Sequence, residues 1–135
     1  MIKVTDGEKH PDWIRDLLED FSRTNKDLDV TFDSKGSKSV IAVKDGDPAG
    51  ILMFDSEPSF RINMLHAYPG HDDVIEPMVR STIAMANVQG KDCVTVLAVD
   101  KDGTLRGIFL NMGFKNASNG PCSLRKGTIH MKLSF

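Results

Sequence analysis

Cysteine, tryptophan and tyrosine are scarce in this chain: two Cys, one Trp and one Tyr among 135 residues. Cys93 and Cys122 form no Cys-x-x-Cys pair, so neither a disulfide framework nor a thiolate metal site is expected. His10, His66, His71 and His130 are scattered without the repeated spacing of a zinc site, and no metal is expected. A basic surplus is also missing. With 17 Lys+Arg against 19 Asp+Glu the formal charge is −2, which gives no reason to expect nucleic acid or an anionic membrane as partner. No apolar run approaches the ~20 residues of a membrane span. The stretch 1–6 lacks the apolar core of a leader, so a cytoplasmic location is expected. What is present, 40% hydrophobic and 27% charged residues, is ordinary globular composition. A single domain over 1–135 is expected, long enough to bury roughly two-thirds of its unfolded surface.

Apolar periodicity places the elements. Ile2-Lys3-Val4 reads as a short strand, and Trp13, Ile14, Leu17, Leu18 and Phe21 make one helical stripe from about Pro11 to Thr24. A short strand is expected at Val30–Phe32 and a loop over Ser34–Lys38. Val40–Val43 and Ala49–Phe54 flank Asp45-Gly46-Asp47-Pro48, a strong hairpin signal. Phe60, Ile62 and Met64 alternate with Arg61 and Asn63 in a half-buried strand that continues to Tyr68, where Pro69-Gly70 breaks it. From Ile75, Met78, Val79, Thr82, Ile83 and Ala86 hold a helical period as far as Gly90. Cys93–Val99 is a continuous apolar run, expected to be a central strand covered on both faces between parallel neighbours. Leu105, Ile108, Phe109 and Met112 mark a short helix ending at Gly113. Phe114 is expected to begin a strand, paired with a last one over Ile129–Phe135. The class is α/β, a mixed sheet with helices packed on it.

Three ordered segments between Val40 and Phe135 resemble the GNAT superfamily of acyl-CoA-dependent N-acetyltransferases. A hairpin leads to a strand ending in Ala67-Tyr68-Pro69, where the family commonly reads Val-x-Pro. Ala86-x-x-x-Gly90 closes a helix before the buried strand Val94–Val99. Ile108-Phe109-Leu110-Asn111-Met112-Gly113-Phe114 is similar to the family's Leu-Tyr-Glu-Lys-Met-Gly-Phe. The resemblance implies a central, mostly antiparallel sheet with helices on both faces, acetyl-CoA or another acyl-CoA as cofactor, and acyl transfer to a small-molecule or protein amine. A homodimer is a possible assembly.

Two departures bear on activity. The family turn Gln/Arg-x-x-Gly-x-Gly/Ala, whose amides hold the CoA pyrophosphate, falls here on Gly70, Asp73 and Ile75, and none matches. Asp72 and Asp73 add negative charge where phosphate would sit; alternatively Asp73 is an N-cap with Glu76 as its capping-box partner. Phe109 stands where many members carry a Tyr that protonates the leaving thiolate, and a phenyl ring cannot donate. Core packing is its expected role. Cofactor contacts are expected at Leu65, Ala67, Gly70, His71, Asp72, Asp73, Val74 and Ile75, with the turn amides as anion donors, and at Asp102, which is equally a helix-start carboxylate. His66 is a candidate base, with a structural histidine as the alternative, and Tyr68 a candidate proton donor or an ordinary half-buried aromatic. Asp27, Asp29 and Asp33 hint at a cationic acceptor. Two functions stay open: an N-acyltransferase with a degenerate cofactor loop, or a non-catalytic binding or regulatory module of the same fold.

Overall fold

The computed structural model describes residues 1–26, 37–117 and 127–135. The strand expected at 30–32, the turn around Cys122 and the acidic trio Asp27, Asp29 and Asp33 lie outside them. The described strands are β1 Ile2–Asp6, β2 Lys38–Lys44, β3 Asp47–Asp55, β4 Arg61–Ala67, β5 Cys93–Val99, β6 Lys115–Asn116 and β7 Thr128–Ser134. The helices are α1 Pro11–Thr24, α2 Ile75–Val88 and α3 Thr104–Asn111. One mixed sheet runs β1-β2-β3-β4-β5-β7-β6, with β4 and β5 parallel and the other pairs antiparallel. No helix among the described residues is long and apolar enough to cross a membrane.

Pro11 opens α1, where its missing N–H costs nothing, and the buried Leu17 and Phe21 seat the helix on Ile41, Ile51, Met53 and Met64. Each such side chain contributes about 1.5–3 kcal/mol by leaving water. The opposite face of the sheet carries α2 and α3, packed through Met78, Val79, Ala86, Leu105 and Phe109 on Leu52, Ile62, Val96 and Met131. Phe109 is fully buried, its ring centre 4.8 Å from that of Phe114 in an edge-to-face contact, so it is a core residue. The β2–β3 turn places Asp45 at φ 53° and Gly46 at φ 89°, the two positive angles of a type I′ hairpin.

Four expectations are corrected. Lys38 already belongs to β2 rather than to the preceding loop, and Phe114 is a buried residue before β6 rather than its start. In β5, Val94, Val96 and Ala98 are buried while Cys93, Thr95, Leu97 and Val99 are only half-buried, and one neighbour, β7, is antiparallel. The reason is that α1 sits over β2, β3 and β4, and of β5 only Val99 packs against its cluster. In β4 the alternation breaks: Met64 pairs with Met53 but Ile62 pairs with Phe54, so Asn63 is an extra residue in the ladder. This bulge puts Ile62 in the core under α2 and Met64 under α1. It also fixes which way the end of β4 faces.

Candidate active site

The β4–β5 ladder consists of Arg61 paired with Thr95 and Ile62 paired with Val96. Beyond those pairs the two parallel strands run on without bonding each other. A cleft of about 150 Å³ opens at their C-terminal ends, the usual ligand position on such a sheet. Leu65, His66 and Ala67 of β4 form one wall, and Val99 of β5 with the turn Asp100–Asp102 forms the other. Asp72 and Ile75 close one end, while Thr24 and Asn25 at the end of α1 close another. Lys101 Nζ donates to the Thr24 carbonyl at 3.1 Å, tying α1 to the β5–α3 turn. A larger cavity of about 370 Å³ lies between β1, β2 and α2, but no histidine lines it, and size alone does not select a reacting site.

His66 is 8% exposed, and its Nε2 lies 2.7 Å from Asp20 Oδ2, a carboxylate on α1. The Phe21 ring meets the imidazole edge-on at 5.6 Å. Nothing in the sequence marks Asp20, which sits beside Phe21 among the charged residues of an amphipathic helix. Tyr68, just past β4, is half-buried against the α1 cluster and does not line the cleft. Burial first, then the carboxylates of Asp16 and Asp20, raise its phenol above the ordinary value, so it stays protonated at neutral pH.

The start of α2 differs from the capping reading. Ile75 is its first residue, preceded by a short 3-10 turn at Asp72–Val74, and no side chain caps it. Asp73 Oδ2 instead accepts from Lys44 Nζ at 2.8 Å, which lowers the Asp73 pKa. Glu76 pairs with Arg80 one turn on. Asp73 therefore brings no net charge to the turn, and only Asp72 of the two carboxylates faces the cleft. Val74 is fully buried and packs near Gly50, where a Cβ would come within 2.8 Å of Val74 Cγ2.

The other helix start is filled by carboxylates. Buried Asp100 accepts from the Leu105 and Arg106 amides at 3.0 and 2.9 Å. Asp102 accepts from the Thr104 amide at 3.0 Å, and hydrogen bonds from the Thr104 amide and hydroxyl lower its pKa. Asp102 is thus a helix-start carboxylate on the rim of the cleft. Of the expected site residues, Leu65, His66, Ala67, Asp72, Ile75 and Asp102 line the cleft, whereas Tyr68, Gly70, His71, Asp73 and Val74 do not.

No family model and no curated protein matches this sequence. Solved structures do match. A candidate acyl-CoA N-acyltransferase from Klebsiella pneumoniae aligns over 99% of this chain and 97% of its own, with a TM-score of 0.76 at 13% identity. An acetyltransferase of the GNAT family from Staphylococcus aureus aligns over 99% of both chains with a TM-score of 0.74 at 11% identity. A Bacillus subtilis acetyltransferase, solved in complex with CoA, aligns over 100% and 99% with a TM-score of 0.70 at 12% identity. The fold is that of the GNAT acetyltransferases.

Within this GNAT fold the residues can be tested against an acyl-CoA. The unpaired edges of β4 and β5 offer backbone donors and acceptors to an extended amide chain, as an acyl-pantetheine arm is. The phosphate end is less complete. The His71, Val74 and Ile75 amides already donate to the Tyr68, His71 and Asp72 carbonyls, so only part of the turn is free to meet an anion. His71 Nδ1 is buried without a hydrogen-bond partner among the described residues, but His71 does not line the cleft. With Asp73 neutralised by Lys44, the chain fits the group, and Asp72 is the remaining opposing charge.

Proposed function

We propose that the chain is an N-acyltransferase that takes an acyl group from an acyl-CoA and gives it to an amine. The parting of β4 from β5 beside a buried histidine carries the reading. Bound acyl-CoA supplies a thioester carbon as electrophile and a thiolate as leaving group. The chain's own part is to place and deprotonate the amine. Leu65, Ala67 and Val99 shape a narrow slot that excludes water from the reacting end, and His66 at its wall accepts the proton that the amine must lose.

A second reading draws on Phe109, whose buried phenyl leaves no hydroxyl where many GNAT proteins have one: a binding or regulatory module of the same fold. The two separate in one experiment. Calorimetric titration with acetyl-CoA, followed by thiol release in the presence of a panel of primary amines, should show saturable binding and amine-dependent turnover. Binding without turnover on any amine supports the module, and absence of binding removes the acyl-CoA reading.

A further inference from the structure

The geometry points to Asp20 as a positioning residue that acts through His66, orienting its imidazole and fixing which nitrogen carries the proton; this inference rests on the acyltransferase reading. Three observations converge on it. Asp20 is only 15% exposed, so its carboxylate leaves most of its water behind and has to be compensated by a strong hydrogen bond. The compensation is the 2.7 Å contact to His66 Nε2. The bulge at Asn63 supplies the orientation, because it rotates the end of β4 so that Met64 and His66 share the α1 face.

An ionised carboxylate accepts only. Nε2 therefore holds its hydrogen toward Asp20, and Nδ1 keeps the lone pair. When the amine attacks, its proton goes to Nδ1, the ring becomes imidazolium, and the positive charge is shared with the Asp20 carboxylate through the Nε2–H bond. Asp20 stays ionised throughout. Without it the ring is free to take the other tautomer, which turns an N–H toward the amine where a base is needed. A purely structural role would tie α1 to β4 through the same bond and leave chemistry untouched.

The charged groups around the ring are Asp20 on α1, with Arg23 4.0 Å from that carboxylate, and Asp72, Asp100, Lys101 and Asp102 along the cleft. The test compares wild type with Asp20→Asn and Asp20→Glu by ¹⁵N-detected NMR of His66 and by amine acetylation as a function of pH. The expected wild-type signal is the Nε2–H tautomer. In Asp20→Asn the preference for the Nε2–H tautomer should be lost, read as a mixture of the two ring-nitrogen signals. With it, kcat should drop roughly tenfold to hundredfold while KM for acetyl-CoA stays unchanged. Asp20→Glu should recover part of kcat. An Nδ1–H tautomer in the wild type overturns the proposal without any variant. Full kcat and an unchanged Nε2–H tautomer in a folded Asp20→Asn protein overturn the role of Asp20 and leave the acyltransferase reading standing. A wild type with the expected tautomer that acetylates no amine overturns the acyltransferase reading, and the base role with it.

Discussion

Lys44 Nζ donates to Asp73 Oδ2 at 2.8 Å, joining the last residue of β2 to the turn that precedes α2. Asp73 is thereby paired rather than alone at that turn, and Lys44, 28% exposed, is held over it. Lys44→Ala should expose the Asp73 charge and weaken acetyl-CoA binding several-fold at low salt. Lys44→Ala with Asp73→Asn should return to near wild-type affinity, and Asp72→Asn alone should tighten binding. Titration calorimetry of the four proteins decides it: an unaffected Lys44→Ala variant together with a weakened Asp72→Asn variant would show that the phosphates lie elsewhere.

Asp102 gives the chain a dependence on acid. The Thr104 amide and hydroxyl hold its pKa below the ordinary carboxylate value. A depressed carboxylate pKa stabilises the fold above the unfolded-state pKa of about 3.9 and loses that contribution as pH falls through the lower folded value. The stability difference between wild type and Asp102→Asn should therefore be constant from pH 7 to about 5 and shrink steadily below 4. Urea unfolding across that range reads it, and a difference that grows in acid would contradict the assignment.

Local order was legible in the sequence wherever one helix or one strand decides its own pattern. The α1 bounds Pro11–Thr24 and the strand Cys93–Val99 follow from the positions of apolar residues and of Pro11, and the Asp45-Gly46 turn follows from the need for positive φ. The cleft was legible only in part. Leu65, His66, Ala67 and Ile75 flank a recognisable strand and helix, but Asp20 and His66 are 46 residues apart, and no spacing rule pairs them. The bulge at Asn63 was hidden because an extra residue in a ladder is visible only once the partner strand is known. Asp73 reads as a cap for the same reason: a carboxylate three residues before a glutamate at a helix start satisfies the capping pattern, and only the fold brings Lys44, 29 residues away, close enough to take it.

Asp100 anchors the far wall of the cleft. Its two oxygens accept from the Leu105 and Arg106 amides, so the carboxylate from the end of β5 serves as the cap of α3. Asp100→Ala leaves two amides at the first turn without a side-chain acceptor and should destabilise the protein by about 1–3 kcal/mol. Asp100→Asn, which keeps one accepting oxygen, should lose about half as much. Chemical denaturation of both variants checks the order, and equal losses would mean that the carboxylate acts through its charge rather than through its two bonds.

Gly50 decides how close the turn before α2 comes to the sheet. A Cβ there would meet Val74 Cγ2 at 2.8 Å, the His66 carbonyl oxygen at 3.0 Å and Met78 Cε at 3.0 Å. The methionine end can swing away, but the His66 carbonyl is backbone, and Gly50 pairs with Ala67 in the adjoining register. Gly50→Ala would gain about 0.4–1 kcal/mol by stiffening the unfolded chain. Overpacking in a filled core costs about 1–3 kcal/mol, so the net effect should be a loss. Because the displaced atoms belong to His66 and to the residue before Ile75, the same change should shift the cleft wall and weaken acetyl-CoA binding beyond what the fall in stability explains. Melting temperature and acetyl-CoA affinity measured on one preparation separate the effects. Unchanged values for both would mean that β4 yields freely, and that the close approach of the turn to β3 does not set the shape of the cleft.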